Sequence, residues 1–280
     1  MKVAVFSDVQ GNLPPMLTVF EHILDWSPDL VIMNGDLVNR GPDSLRCLDA
    51  FEAMRTQHDW IALRGNHEDF VLDCADANGL PADKAEQEMQ RFTFWTSAQL
   101  GPKVDLLRAW REDYRFHPEA DPNALVEAMH GSLPGNRHGI LPWTTEDELA
   151  QRIPPGLAVF LTAHTHRPLI RPFQGCAIVN TGSAGSPFDG DERASYAQLV
   201  FRNGRWECSI VRLTYNRALT ERAYHESGFL EEGGPIAHLI HAEWKQATSL
   251  MPRWRQQYLV AIRQGEITVG KAAREFLSAL

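Results

Sequence analysis

Apolar residues along the first sixty positions fall into two alternating kinds of run. Val3–Phe6, Leu30–Met33 and Trp60–Leu63 are short, apolar and partly β-branched, which predicts strands buried on both faces. Between them the spacing lengthens to a helical period. Pro14-Pro15 opens one helix, with Leu17, Phe20, Ile23 and Leu24 read as its apolar face. Pro42-Asp43 opens another, with Leu45, Leu48, Phe51 and Met54. The resulting βαβαβ order predicts a parallel sheet.

The pattern then changes. Residues 68–112 read as helices with irregular joints, placed to cover one side of a site. Ala124–Met129 and Leu157–Thr162 are predicted strands, with a short helix near Glu146–Arg152 between them. From about 168 to 213 strands dominate, and Asn203-Gly204 marks a hairpin between the last two. From about 216 the chain is helical. Its Trp244, Trp254, Tyr258, Leu259 and Ile262 suggest either packing on the core or an oligomer contact. The expected division is therefore a main domain over 1–215 and a helical extension over 216–280.

Composition narrows the setting. The 280 residues carry a net charge of -9, which argues against non-specific nucleic-acid binding through a broad basic face. The four cysteines, Cys47, Cys74, Cys176 and Cys208, form no CxxC pair and read as buried thiols of a reducing compartment. No run approaches 18 apolar residues, and the first strand begins almost at once. The expectation is a cytoplasmic chain with no membrane segment.

The chemistry sits where the predicted strands end. Five of them run into groups that can ligate metal: Asp8 with Gln10, Asp36, Asn66 with His67, His130, and His164 with His166. One Asp after a strand is usually a helix cap. Five such endings at the carboxyl edge of a sheet mark a ligand site. Phosphate esters resist hydrolysis because their anionic oxygens repel a nucleophile. Two cations about 3.5–4 Å apart neutralise that charge and make hydroxide accessible near neutral pH. Ligands mixing imidazole, amide and carboxylate suit manganese, iron or zinc better than an all-oxygen set would.

The segments Asp8-Val9-Gln10, Gly35-Asp36-Leu37-Val38-Asn39-Arg40-Gly41, Gly65-Asn66-His67-Glu68, Met129-His130-Gly131 and Ala163-His164-Thr165-His166 resemble the calcineurin-like metallophosphoesterase superfamily. The resemblance spans residues 1–213 and touches its branches of diadenosine tetraphosphatases, serine/threonine phosphatases and small prokaryotic phosphodiesterases. It implies a four-layer αββα sandwich, here with the C-terminal helical appendage. It also implies that Asp36 bridges two metals. Asp8, His166 and residue 10 would serve the first, and Asn66, His130 and His164 the second. His67 would be the general acid, and Arg40, with help from Arg64, would hold substrate phosphate.

Two positions depart from that pattern. Gln10 stands where histidine is usual and offers only a neutral oxygen, so the first metal is expected to bind more weakly, with a tilt towards manganese or magnesium. Asn39 stands where phosphoprotein phosphatases carry the Asp that charges the acid histidine. The expected activity is hydrolysis of a phosphodiester, phosphate ester or nucleotide anhydride with two divalent ions, Mn²⁺ first and Fe, Zn or Mg as alternatives. A phosphoprotein phosphatase and a non-catalytic metal-binding regulator stay open. His138, Arg193, His22, His58, His117 and the pair His238 and His241 read as surface or structural groups.

Overall fold

The computed structural model describes residues 1–77 and 80–280; the part of the 68–112 reading that falls on 78 and 79 lies outside them. The chain opens with β1 (Lys2–Phe6), α1 (Leu13–Trp26), β2 (Leu30–Asn34), α2 (Ser44–His58) and β3 (Ile61–Leu63). Three helices follow: α3 (Asn66–Asp76), α4 (Lys84–Leu100) and α5 (Val104–Arg108), with one 3-10 turn before α5. Next come β4 (Asp113–Phe116), β5 (Val126–Met129), α6 (Glu146–Arg152), β6 (Val159–Thr162), β7 (Leu169–Phe173) and β8 (Cys176–Asn180). The hairpin β9 (Ala194–Arg202) and β10 (Arg205–Leu213) completes the sheets. The chain closes with α7 (Arg217–Glu226), α8 (Phe229–Glu232), α9 (Pro235–Gln246), α10 (Met251–Arg263) and α11 (Val269–Ser278).

Two five-stranded sheets form, ordered β10-β9-β1-β2-β3 and β4-β5-β6-β8-β7. In the first sheet β1, β2 and β3 run parallel and the β9-β10 hairpin adds antiparallel to β1; in the second the parallel strands β5, β6 and β8 are flanked by antiparallel β4 and β7. Alternation along β1 explains the stacking. Val3 and Val5 face Val126, Val159 and Leu161 of the second sheet, while Ala4 and Phe6 face the helix side with Met16, Phe20 and Phe51. Both faces are buried, so the strand reads as continuous apolar sequence. The far face of the second sheet packs Phe160 and Ile178 on Leu149 of α6. The outcome is the αββα sandwich, and no helix of the described residues is long and apolar enough to cross a membrane.

Two details differ from the sequence reading. The buried face of α1 is Leu13, Met16, Phe20 and Ile23, whereas Leu17 and Leu24 are 40% and 41% exposed. The helix begins one residue before Pro14, at Leu13. Strand β4 was not anticipated. It is only four residues, Asp-Tyr-Arg-Phe, with one buried face at a sheet edge. Of the C-terminal aromatics, for which packing and an oligomer contact were both open, Trp244 and Trp254 lie in a core built by α7 to α11 against Met89, Phe92 and Trp95 of α4. The Asn203-Gly204 turn adopts positive φ at both residues, as a tight hairpin requires.

Candidate metal centre

Each candidate ligand follows a strand, and most sit in a conformation that ordinary residues avoid. Asp8, Gln10, Asp36, His164 and His166 all have φ between 52° and 66°. A left-handed residue with a side chain costs about 1–3 kcal/mol where it must be held in place. The turn swings each side chain back over the strand ends, into the seam between the sheets. Interlocking backbone bonds hold these turns: Asp8 N–H to Gly35 O, Gln10 N–H to Asp36 O, and Gly185 N–H to Asp8 O. Gly65 is required by contact, since a Cβ there would lie 2.2 Å from Asp36 Oδ1.

The strongest restraint on Asp36 comes from Glu68, a buried residue that the sequence reading quoted but gave no role. Its carboxylate accepts four backbone N–H groups, from Asp36, Leu37, Val38 and Gly65, at 2.8 to 3.2 Å. Burial and the charge of Asp36 push Glu68 up to about 7, against the pull of those donors. Asp36 lies well below the usual carboxylate range. Burial opposes its charge, but His130 and His67 beside it prevail.

The side chains converge as two groups that share one carboxylate. Asp36, His130 and His164 form one; Asp8, Asp36 and His166 form the other. His130 Nδ1 donates to Asn34 O at 2.8 Å, which turns Nε2 inward, 3.3 Å from Asp36 Oδ2. His166 Nδ1 donates to Ser186 O and leaves Nε2 3.2 Å from Asp8 Oδ1. Backbone carbonyls thus fix both tautomers, the usual way of presenting imidazole to a metal. Asn66 Oδ1 and His164 Nδ1 lie 2.7 Å apart, an oxygen and a nitrogen side by side. Burial disfavours a charged His130, yet Asp36 and Asp8 outweigh it and hold the ring up to about 10. Asp8 Oδ1, Gln10 Oε1 and His130 Nε2 are buried without a hydrogen-bond partner. Orphaned buried donor atoms around paired carboxylates fit a cation.

Gln10 behaves differently from a plain ligand. Its Nε2 donates to Asp36 Oδ2 at 3.2 Å and lies 3.4 Å from His166 Nε2. A half-turn of the amide would exchange its nitrogen for the unpartnered oxygen.

Residues 1–168 match the family model described as Calcineurin-like phosphoesterase. The chain belongs to the calcineurin-like phosphoesterase family. It is 31% identical over 154 residues to a symmetrical bis(5'-nucleosyl)-tetraphosphatase of Pseudomonas syringae pv. tomato, covering 54% of this chain and 45% of that relative. It is 39% identical over 72 residues to serine/threonine-protein phosphatase 1 of Salmonella typhimurium, covering 25% and 32%. The chain thus spans under half the length of these curated relatives. Among solved structures, a metallophosphoesterase from Sphaerobacter thermophilus aligns with TM-score 0.65 at 23% identity, over 89% of this chain and all of that one. A hypothetical protein from Pyrococcus horikoshii OT3 gives 0.69 at 18%, over 84% and 97%. Those two likenesses concern the fold.

Within this calcineurin-like chain, the remaining expected residues divide. His67 borders a cavity of about 710 Å³, together with Arg40, Asn66 and His164. Arg64 does not line it; its guanidinium pairs with Asp69 at 2.8 Å and Glu112 at 2.9 Å. Beside Arg40 the cavity holds Arg255 and also Arg137, stacked 4.4 Å from the Phe70 ring. Its place in an exposed, Gly-rich loop gave no sequence signal. His138 beside it is exposed, and Arg193 closes a turn on Asp191. His241 gathers Glu221 and His225, but Lys245 Nζ already lies 3.4 Å from Glu221, so the cluster reads as an ion-pair network joining α7 to α9.

The environment of His67 changes the reading of its role. Arg40 N–H donates to Asn39 Oδ1 at 3.0 Å, which fixes the amide and turns its nitrogen towards His67 Nδ1, 3.1 Å away. Nδ1 therefore accepts, and the ring proton rests on Nε2. Burial, outweighing Asp36 and aided by Arg40, His166 and His164, drives His67 down to about 3. His67 is thus a neutral donor near pH 7, where a charged acid was expected.

Two variants test this geometry. Glu68→Gln keeps one acceptor oxygen of two and leaves two buried N–H groups unpaired, so urea unfolding is expected to lose about 2–5 kcal/mol; a loss within experimental error would mean the cradle is not holding the loop. Asn39→Asp places a carboxylate on Nδ1 and favours imidazolium. The protonated form then survives to higher pH, and the pH profile of the His67 ring resonances followed by NMR is expected to move up by about 1–3 pH units. An unmoved profile would uncouple Asn39 from His67.

Proposed function

We propose that this protein hydrolyses a small phosphodiester or nucleotide anhydride, using two divalent metal ions that share Asp36. The observation that carries the proposal is the convergence of buried, partnerless donor atoms from both sheets on that one carboxylate. Asp8, His166 and Asp36, with Gln10 beside them, would hold one ion, and Asp36, Asn66, His130 and His164 the other. The oxygen-rich first group favours manganese or magnesium, and the imidazoles of the second also suit iron or zinc. When bound, such a pair neutralises phosphate charge and lowers the barrier to forming hydroxide.

The chain's own groups complete the site. Arg40 lines the cavity at its metal end and would take a phosphate oxygen through its guanidinium. His67 Nε2–H would donate to the leaving oxygen or to a phosphoryl oxygen. Arg137 adds another positive group, and Phe70, Phe92 and Trp254 give the cavity an apolar wall. A ligand with anionic phosphates at one end and a flat apolar ring at the other matches those two zones.

The chamber is walled by α3, α4, α9 and α10, so the reading favours a small molecule over a phosphorylated protein surface. The symmetrical tetraphosphatases among the relatives agree with a nucleotide substrate. Residues 216–280 would then act as a wall of the site as well as a packing extension. A binding-only regulator fits less well, because it would need no donor held at His67.

The decisive assay combines a screen with a null variant. Mn²⁺-reconstituted protein is expected to turn over dinucleoside polyphosphates or an activated aryl phosphodiester. Asp36→Asn should lower kcat by about 10³-fold or more, since it weakens both metal groups together. A folded, metal-loaded sample with no turnover on mono-, di- or dinucleoside phosphates would overturn the proposal.

A further inference from the structure

The C-terminal helices do more than border the cavity. Arg40 Nη2 forms an ion pair with Glu243 Oε2 of α9, across 203 positions of sequence. The carboxylate is fully buried and the arginine side chain is 11% exposed. The other oxygen, Oε1, accepts from the N–H groups of Leu250 and Met251, at 2.6 and 2.7 Å. Those are the first free donors of α10, the helix that places Met251, Trp254 and Arg255 in the cavity wall. The Tyr224 hydroxyl of α7 donates to the Arg40 carbonyl at 3.4 Å, and the Arg40 guanidinium sits 5.9 Å from the Phe188 ring that stacks on His166.

One buried carboxylate therefore binds both the phosphate-facing arginine and the start of a wall helix. We propose that Glu243 is a positioning residue: it orients Arg40 for substrate phosphate and locks α10 in register with the metal centre. The inference rests on the phosphoesterase reading above. Arginine has five donors, so pairing one nitrogen with Glu243 leaves others free for an anion. Fixing the fork in advance removes the ordering that a mobile arginine would undergo on binding. Glu243 lies outside residues 1–168, the span matched by the family model, so this contact comes from the chain's own extension.

A second sign is possible for such a pair, and it makes the test sharp. If Glu243 merely neutralised Arg40, its removal would tighten phosphate binding. The experiment measures inorganic phosphate binding to the Mn²⁺-loaded protein by calorimetry, and KM and kcat on bis-p-nitrophenyl phosphate. Wild type, Glu243→Gln, Glu243→Asp, Arg40→Met and the Arg40→Met/Glu243→Gln double variant are compared.

Glu243→Gln is expected to weaken phosphate binding about tenfold and to raise KM more than it lowers kcat. The double variant should equal Arg40→Met, and Glu243→Asp should recover part of the loss. Tighter or unchanged phosphate binding in Glu243→Gln would overturn the proposal, as would losses that multiply in the double variant. If Glu243→Gln fails to fold, Glu243→Asp carries the same comparison, with an intermediate loss of phosphate affinity expected and none overturning the proposal. Phosphate binding is read separately from turnover, so absent hydrolysis would count against the phosphoesterase reading and leave the positioning role testable.

Discussion

Everything at the candidate metal centre depends on holding Asp36 in a left-handed turn at the end of β2. Glu68 does this with one buried carboxylate that accepts four backbone N–H groups. The same cradle joins the Asp36 loop to the start of α3, and so fixes Asn66 and His67 relative to Asp36. His67 N–H returns a bond to Asp36 Oδ1 at 2.9 Å. Strain in five ligand residues is thus distributed over a network in which each loop donates to the next. The ligands are presented by backbone geometry, and their side chains are left with partnerless atoms.

The two candidate metal groups are unequal. The group of Asn66, His130 and His164 has two imidazoles, one with its tautomer fixed by Asn34 O. The group of Asp8 and His166 has one imidazole, and its fourth contributor is an amide turned nitrogen-first onto Asp36. The departure at Asn39 compounds the asymmetry. An amide that donates to His67 leaves a neutral ring where a carboxylate would have charged it. On the proposed reading, the site would lean on metal charge, Arg40 and Arg137 for anion stabilisation, and less on a strong protonated acid. This combination would suit an anhydride substrate, in which the leaving oxygen belongs to a phosphate and needs little protonation.

The parallel strands and the clustering of the candidate ligands were legible in the sequence because both follow from local rules. Buried parallel strands are written as unbroken apolar runs, and ligands follow their carboxyl ends. Asp8, Asp36, Asn66, His130, His164 and His166 all arrive at one place for that reason. What was not legible depended on contacts between distant segments. Arg64 looked like a substrate contact beside His67, yet Asp69 and Glu112 claim it. Arg137 and Glu243 carry no motif, and only the folding of a loop and of the C-terminal helices brings them to the cavity. The stripe of α1 was misread because Leu17 and Leu24 are apolar but lie just off the face that meets the sheet.

A calorimetric titration of the metal-stripped protein with Mn²⁺ tests the proposed asymmetric pair of metals sharing Asp36. Two ions per chain with unequal affinities are expected. Gln10→His should tighten only the weaker one, by about tenfold or more. A single equivalent of bound Mn²⁺, two equal sites, or a Gln10→His variant that leaves both affinities unchanged would contradict the asymmetric pair.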